Sequence, residues 1–586
     1  MENINQFMWG YQKHYWVSIN SLAERIFNQI CPGLFDKVFL VGILNNGEQD
    51  KPHICFEPEE YVHYQNLFNN VNELSSQLEA VSPEKNIILS IPEAQENHDR
   101  KIRAWARRDA IIKCVEKNDY FKEFKTYASV PVIIEKYSVF IVLQLNYNVY
   151  NSFYKLKRTT IDIGQYNIPT SIIDTLSANY FDAIITALKV HTSGSSILQI
   201  NEDDLIKKSG SDFMYSVSSK GENYSGISGL FERLNIISSL KYENKDIKGN
   251  MIICKKDHDN IKLDLTFLEP IEMDNYRKVR KIIELSSEKK CLISDSNLIY
   301  GLGHLIGEYN PINEDLFVIN FTGHYQWELK HDKKNLLKVK YNQPFLPSAV
   351  FNRNNFFSDM KRIFKSIEED DIISLYHVII SIISEKKGAI LVICKDAKEE
   401  AIRLKYQSML IKPMIINDEN IKKICSIDGA VLIDFKCVCY SIGTILDGLS
   451  TSKGDSARGS RYNSSIRYYE NKKDSTEIAV VIVSEDGMVD FIPKLKPRIK
   501  KTLINDLINN FIDLNKQNKI EAKKFYALMN KINKYSFYFN IDQCAIINKT
   551  RKEIEEKGFE NIHGNCVQVI HEDINPHQDF NESYLE

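Results

Sequence analysis

The feature that most constrains the fold is a short, uninterrupted apolar segment, Ala389–Cys394. A strand with one face in water alternates polar and apolar side chains, whereas a strand buried on both faces is apolar throughout. Helical patterns flank this segment, becoming apolar over residues 372–383 before it and covering residues 397–404 after it. The segment therefore predicts the central strand of an α/β sheet with helices packed against it.

Three further strand patterns follow along the chain. Asp428 stands at the beginning of an apolar strand over residues 430–433, and another strand is predicted over residues 438–446 after a short turn. A hairpin is predicted over residues 478–492, with Asp-Gly at its turn. We expect the strands over residues 430–433 and 438–446 to share a sheet with the first.

A loop rich in Gly and Ser separates the predicted strand over residues 438–446 from a predicted helix over residues 460–469. Ser460 is predicted to cap this helix, and Arg458 and Arg461 lie at its start. Free backbone N–H groups at a helix start, glycines that allow close approach, and guanidiniums are features that bind phosphate. The loop and helix therefore predict a phosphate-binding site.

The order and content of these motifs resemble the diadenylate cyclase (DAC) domain, a nucleotide-binding domain also found in the DNA integrity scanning protein DisA. The Asp-Gly-Ala motif of the family is intact as Asp428-Gly429-Ala430. The Gly-Thr-Arg-His-Arg motif corresponds to Gly459-Ser460-Arg461-Tyr462-Asn463, which keeps the glycine and the first arginine. The Ser-Glu-Glu turn corresponds to Ser484-Glu485-Asp486. The resemblance covers about a quarter of the chain.

This resemblance implies that the domain condenses two ATP molecules into cyclic di-AMP and releases pyrophosphate. It implies catalytic roles for Asp428, Arg461 and Glu485, with Asp428 and Glu485 holding Mg²⁺ or Mn²⁺. In the family, two domains meet face to face, so activity would require a homodimer. The other nucleotide-binding positions that it implies are Gly429, Ala430, Leu446, Asp447, Gly448, Arg458, Gly459, Ser460, Asn463 and Ser464.

The altered second motif leaves two functions open. Replacing the family's histidine and second arginine by Tyr462 and Asn463 removes a proton-transfer group and a bidentate phosphate contact. Asn463 can hydrogen-bond a phosphate without charge, and Arg458 is expected to replace the missing guanidinium. The alternative to the cyclase is a catalytically weak nucleotide-binding sensor that signals through domain contacts.

The length of 586 residues allows several hydrophobic cores, and the chain is predicted to be α+β overall. Its DAC-like part is expected to be a mixed twisted sheet flanked by helices, preceded by a larger α+β regulatory region. The block before that part resembles the sensor regions that precede DAC-like domains in several bacterial proteins. The predicted division is an N-terminal sensor region at 1–270, a β-rich module at 271–348, the DAC-like domain at 349–498 and a helical extension at 499–586.

Composition narrows the partners and the compartment. A net charge of -3 argues against broad nucleic-acid binding by the whole chain. No apolar run has the length that a membrane-spanning helix requires, and the N-terminus lacks the pattern of a signal peptide. The 11 cysteines, with no CxxC pair, are typical of reduced thiols. We therefore expect a cytoplasmic protein that does not bind membranes.

Three further patterns lie in the N-terminal region. Strands are predicted over residues 86–91 and 130–145. Between them, a predicted helix carries Arg100, Lys101, Arg103, Arg107 and Arg108. Such a basic helix is either a solvated face or a contact surface for an acidic partner or nucleic acid.

Overall fold

The computed structural model describes residues 8–45, 52–117, 124–157, 168–190, 194–222, 229–332, 334–347, 351, 353–385, 388–449, 459–484, 489–496, 498–559 and 572–586. The chain divides into two compact units, Met1–Val350 and Phe351–Glu586. Glu485 and Arg458, two of the residues predicted to bind nucleotide or metal, lie outside the described residues.

The first sheet of the N-terminal unit is antiparallel, with strand order β2-β1-β5-β3 and β4 paired to β5. Successive side chains of its long strands enter two different cores: Val38 and Leu40 pack in one, and Phe39 and Val41 in the other. Both faces are covered, so these strands are apolar throughout. The strands are β1 (Phe35–Leu44), β2 (Ile54–Glu57), β3 (Phe124–Ala128), β4 (Val132–Ile134) and β5 (Tyr137–Asn146).

Helices cover both faces of this sheet and continue toward a second one. They are α1 (Gln12–Ile30), α2 (Val71–Ala80), α3 (Pro92–Glu116), α4 (Tyr147–Asn151), α5 (Ile172–Lys189), α6 (Glu202–Ser218), α7 (Leu230–Ser239) and α8 (Tyr276–Ile283). The basic helix predicted around Arg103 is thus part of the long helix α3.

The second sheet has strand order β13-β12-β11-β10-β6-β8-β9-β7 and is antiparallel except where β6 pairs with β8. Strand β7 extends from Ile261 to Glu272 and therefore crosses the predicted boundary between residues 270 and 271. It pairs with β9 on both sides of that boundary. The division into 1–270 and 271–348 remains a prediction. The strands are β6 (Gly249–Ile253), β7 (Ile261–Glu272), β8 (Cys291–Ser294), β9 (Leu298–Leu305), β10 (Phe317–Gly323), β11 (Gln326–His331), β12 (Lys334–Lys340) and β13 (Gln343–Phe345).

Two strand predictions in the N-terminal unit are wrong. The single strand predicted over residues 130–145 is the hairpin β4–β5, because the chain turns at Glu135, whose φ is 51°. The strand predicted over residues 86–91 is not formed, and Ile88 is 89% exposed. A short apolar run alone does not form a strand when no neighbouring strand supplies hydrogen bonds.

The C-terminal unit contains the predicted mixed sheet, with strand order β15-β17-β16-β14-β18-β19. Strands β14 and β16 are parallel neighbours, and β17 continues from β16 as its antiparallel partner. The expectation that residues 389–394, 430–433 and 438–446 share one sheet is confirmed. The strands are β14 (Ala389–Cys394), β15 (Met409–Ile415), β16 (Ala430–Ile433), β17 (Val438–Thr444), β18 (Ile478–Val483) and β19 (Val489–Ile492).

Strand β14 is buried on both faces, as its apolar run predicts. Leu391 and Ile393 pack in one core, whereas Ile390 and Val392 pack in the other. The predicted α+β class, with a mixed sheet flanked by helices, is confirmed. The helices of this unit before the C-terminal extension are α9 (Arg353–Ile363), α10 (Glu369–Ser384), α11 (Ala397–Arg403), α12 (Asp418–Ile424) and α13 (Ser460–Lys472).

The C-terminal extension is helical and has its own core. The stretch predicted as helical over residues 499–535 consists of α14 (Lys501–Asn515) and α15 (Ala522–Lys534), and α16 (Ile541–Lys557) follows. In the segment between α14 and α15, Ile520 packs in the core of the extension and is 1% exposed. Tyr584 also packs in this core.

Candidate functional site

Two of the predicted catalytic residues meet where β14 and β16 begin. Because these strands are parallel, with Ile390 opposite Ala430, both begin at the same end of the sheet. Asp428 precedes β16 there, and Arg461 extends from the first turn of α13. The Nη2 atom of Arg461 lies 3.8 Å from Oδ1 of Asp428. The structure thus brings together two motifs that are 33 residues apart in the sequence.

A glycine completes this arrangement. A Cβ atom at Gly388, just before β14, would lie 2.6 Å from Cζ of Arg461, so the guanidinium packs directly over the glycine backbone. The side chain of Asp428 is nonetheless 95% exposed. An exposed ion pair of this kind contributes little to stability. Because its side chain is exposed, the Asp428 carboxylate is accessible to a ligand. We call Gly388, Asp428 and Arg461 the motif end of the sheet.

The glycine of the Asp-Gly-Ala motif has a backbone reason to be glycine. Gly429 has a φ of 109°, and a Cβ there would lie 2.6 Å from the carbonyl carbon of Gly443. Strands β16 and β17 therefore approach closely just after Asp428. Ala430 is fully buried and pairs with Thr444, so it lies beneath the site rather than at its surface.

The start of α13 differs from the predicted cap. Gly459, not Ser460, occupies the N-cap position, and no side chain caps the first turn. Ser460 is the first helical residue and is exposed. The side chains of Asn463 and Ser464 donate to backbone carbonyls of the same helix, at Gly459 (3.3 Å) and Arg461 (3.1 Å). The helix start keeps the backbone N–H groups and partial positive charge that favour an anion.

The predicted nucleotide-binding segment Leu446, Asp447 and Gly448 contacts the protein itself. Asp447 accepts hydrogen bonds of 2.6 and 2.8 Å from Arg403, which hold the pKa of that carboxyl below its usual value. Leu446 packs against an apolar core. A Cβ at Gly448 would lie 2.7 Å from the backbone of Arg467. In the structure this segment attaches α11 to α13.

The chemistry of Asp428 fits the implied metal. Among the described residues, no group of three or more His, Cys, Asp or Glu side chains forms a metal cage. Mg²⁺ does not need one, because it binds one or two carboxylates together with substrate phosphates and water. An exposed carboxylate beside an arginine and a helix start meets that requirement, so Asp428 is the described residue that would hold the ion.

A cluster around the buried carboxylate of Glu400, which the sequence patterns did not predict, contacts the same face of α13 as Arg461 does, two to three turns further along the helix. Glu400 accepts hydrogen bonds from Arg403 (2.7 and 2.9 Å), Tyr468 (2.7 Å) and Lys472 (2.9 Å). Burial acts to raise the pKa of Glu400, but these hydrogen bonds outweigh burial and lower it. We call Glu400, Arg403, Asp447, Tyr468 and Lys472 the Glu400 cluster. Only the i, i+4 spacing of Tyr468 and Lys472 hinted at it in the sequence.

A cavity of about 590 Å³ lies near the C-terminal end of α13 and is lined by Lys395, Tyr469 and Tyr584, among others. At a rise of 1.5 Å per residue, Tyr469 is about 12 Å along the helix from Arg461. The cavity is therefore separate from the motif end.

The N-terminal unit matches known sensor domains. Residues 8–214 match a family model described as "Probable sensor domain DACNG", and residues 228–333 match one described as "Probable sensor domain DACNH". Both are sensor domains of the kind associated with DacA-type diadenylate cyclases. These matches support the N-terminal sensor region predicted from the sequence, and they end before the sheet that carries Asp428.

Two solved structures are similar to part of the chain. One is described as a hypothetical membrane spanning protein from Bacillus cereus, with 18% identity and a TM-score of 0.19 over 23% of this chain and 64% of that one. The other is a double mutant of DacA from Staphylococcus aureus, with 20% identity and a TM-score of 0.19 over 24% of this chain and 93% of that one. No curated protein matches the chain. In the described part of the chain, no helix has the length and apolar character needed to cross a bilayer.

Proposed function

We propose that the chain is a diadenylate cyclase whose activity is regulated by its N-terminal sensor region. In each half of the reaction, the 3′-hydroxyl oxygen of one ATP forms a bond to the α-phosphorus of the other. Pyrophosphate leaves and the hydroxyl proton is released, so two ATP give one cyclic di-AMP and two pyrophosphates. A homodimer would bring the two nucleotides together, because one chain carries one such site.

The observation that carries this function is the position of Asp428 beside Arg461 at the motif end. Arg461 and the start of α13 would bind the phosphates and offset their charge as it develops. Asp428, together with Glu485, would hold Mg²⁺ or Mn²⁺, which supplies Lewis-acid stabilisation of phosphate oxygens. The protein would also position the attacking hydroxyl and the α-phosphate, and such positioning is the main requirement of phosphoryl transfer.

The second candidate is a nucleotide-binding sensor with little or no turnover. Its support is that Asn463, at the place of the family's second arginine, is uncharged and donates to the carbonyl of Gly459. Asp447, predicted to contact nucleotide, is already paired with Arg403. A site with Arg461 as its described cation would hold a triphosphate without fully neutralising its charge.

Product analysis separates the two candidates. The full chain is incubated with ATP and either Mg²⁺ or Mn²⁺, and the products are resolved by mass, with Asp428→Asn as the matched control. Cyclic di-AMP and pyrophosphate from the wild type, and not from the variant, are expected for the cyclase. ATP that is bound but unchanged would contradict the cyclase and favour the sensor.

A further inference from the structure

A cleft in the N-terminal unit lies between α2, α3 and the sheet that contains β1 and β5. Its volume is about 200 Å³. The polar side chains that matter in its lining are Arg103, Arg107, Asn45, Ser75, Ser138 and Glu79. Asn72 and Ser76 line it as well, so two guanidiniums share a small cleft with hydroxyls, two amides and one carboxylate.

The two arginines lie on the face of α3 that is directed toward the protein. Ala110 and Cys114 on this helix are buried in the core between α3 and the sheet. Positions 103, 107, 110 and 114 follow the spacing of one helical face. The face that covers the sheet is therefore apolar in its second half and carries arginine one and two turns earlier. Arg107 is half-buried on this face, and burying its charge is costly unless a polar partner or a ligand meets it.

A polar floor meets Arg107 from the sheet. Ser138 on β5 is 2% exposed, and its hydroxyl accepts a hydrogen bond of 3.4 Å from Nη1 of Arg107. The same hydroxyl donates to Oδ1 of Asn45 at 2.6 Å. Ser75 on α2 is 7% exposed. These groups hold Arg107 in the cleft without neutralising its charge.

Among the described residues, Arg103 and Arg107 form no ion pair, although the Glu79 carboxylate also lines the cleft. In the described ranges, no carboxylate lies within the 4.0 Å ion-pair distance of Arg103 or Arg107, whereas Arg100 pairs with Glu96 at 3.1 Å and Arg108 with Asp109 at 2.8 Å. Arg100 and Arg108 of α3 are thus paired with carboxylates, whereas Arg103 and Arg107 in the cleft keep their positive charge.

We infer that this cleft binds a small anion through Arg103 and Arg107. A carboxylate or a phosphate is the group that a guanidinium fork recognises with two parallel hydrogen bonds. The volume is below the range of about 300–1,000 Å³ that is usual for drug-sized ligands, so the anion is small. A regulatory role for this anion rests on the proposed function of the chain as a cyclase. The binding of the anion does not depend on that function.

The test measures binding to the full chain by calorimetry without ATP, with inorganic phosphate and malonate as probes. Saturable binding of one or both is expected, and the probe that binds more tightly identifies phosphate or carboxylate as the preferred group. In Arg103→Gln/Arg107→Gln the dissociation constant is expected to rise at least tenfold. Arg100→Gln/Arg108→Gln, on the same helix outside the cleft, is the matched control and should bind as the wild type does.

Two results would overturn the inference: no saturable binding of either probe, or equal binding by the wild type and the Arg103/Arg107 variant. Arg103→Gln alone guards against a folding defect, because Arg103 is exposed and its loss removes no packing. This single variant should also weaken binding. Because no nucleotide is present, an inactive cyclase would leave these results unchanged.

Discussion

The motif end and the Glu400 cluster lie along the same face of α13, two to three turns apart, and each places a carboxylate beside an arginine. At the motif end the two groups are 3.8 Å apart and the Asp428 side chain is 95% exposed. In the cluster Glu400 lies 2.7 Å from Arg403, and the Glu400 side chain is 9% exposed. In the Glu400 cluster the protein thus satisfies the hydrogen bonds of the carboxylate, whereas at the motif end the carboxylate is accessible to a ligand.

This difference separates a structural role from a functional one. A buried carboxylate must be hydrogen-bonded to offset the loss of water, and Glu400 receives such bonds from both α11 and α13. An exposed carboxylate has no such requirement and contributes little to stability. Changes at Glu400 should therefore affect stability, and changes at the motif end should affect nucleotide chemistry.

Asp428→Asn should have the largest effect. The variant keeps the size of the side chain but loses the charge that would hold the metal, so product formation is expected to fall by about a hundredfold or more. Its melting temperature should stay close to that of the wild type, since Asp428 is exposed. Undiminished turnover by the variant would remove Asp428 from the site.

Arg461→Gln comes next. Loss of one charge-assisted phosphate contact is expected to weaken binding of a non-reacting ATP analogue roughly ten- to hundredfold. Arg467→Gln is the control, because Arg467 lies about two turns further along α13 and donates to the carbonyl of Asn463. Equal affinity in the two variants would show that the helix start does not bind the phosphates.

Glu400→Gln should act on stability instead. The Glu400 carboxylate accepts hydrogen bonds from three side chains, and removing its charge is expected to lower the free energy of unfolding by about 1.5–3 kcal/mol. Because the pKa of Glu400 is lowered in the folded protein, its contribution is present above the unfolded pKa of about 4.3 and is lost as the pH falls through the folded pKa. The difference between wild type and variant in chemical denaturation should thus be full at pH 7 and shrink in acid. A difference that does not change with pH would contradict this account.

Gly388→Ala is the smallest change that should affect the motif end. The added Cβ meets the flexible end of Arg461, so the guanidinium should shift while the fold is retained. Affinity for the ATP analogue is expected to fall by less than about tenfold. Gly323→Ala is the control, since a Cβ there meets no atom within 4 Å and Gly323 lies in β10, outside the predicted nucleotide site. A larger loss of affinity in the control would contradict the role of Gly388.

The sequence predicted the parts of this comparison that depend on local patterns. The strands 389–394 and 430–433 were predictable because burial on both faces leaves an uninterrupted apolar run. The Asp-Gly-Ala and Gly-Ser-Arg motifs were recognisable in the sequence. The packing of Arg461 over Gly388 was not. That contact joins residues 73 positions apart, and no local pattern encodes it.

The Glu400 cluster was missed for a related reason. Glu400 and Arg403 look like ordinary exposed charges of a short helix, and Asp447 like an ordinary loop residue. They form one hydrogen-bonded network, in which Glu400 is buried, only because α13 packs against α11. Residue 88 shows the opposite error, since an isoleucine that looked like part of a strand is exposed.

Thermal melting of the full chain, with and without a non-reacting ATP analogue and Mn²⁺, tests the separation of roles most directly. A ligand that binds only the folded state raises the melting temperature in proportion to its binding free energy. Asp428→Asn is expected to keep the wild-type melting temperature without ligand and to lose most of the ligand-induced rise. Glu400→Gln is expected to melt at a lower temperature without ligand and to keep the rise. A full ligand-induced rise in Asp428→Asn, or its loss in Glu400→Gln, would contradict the account.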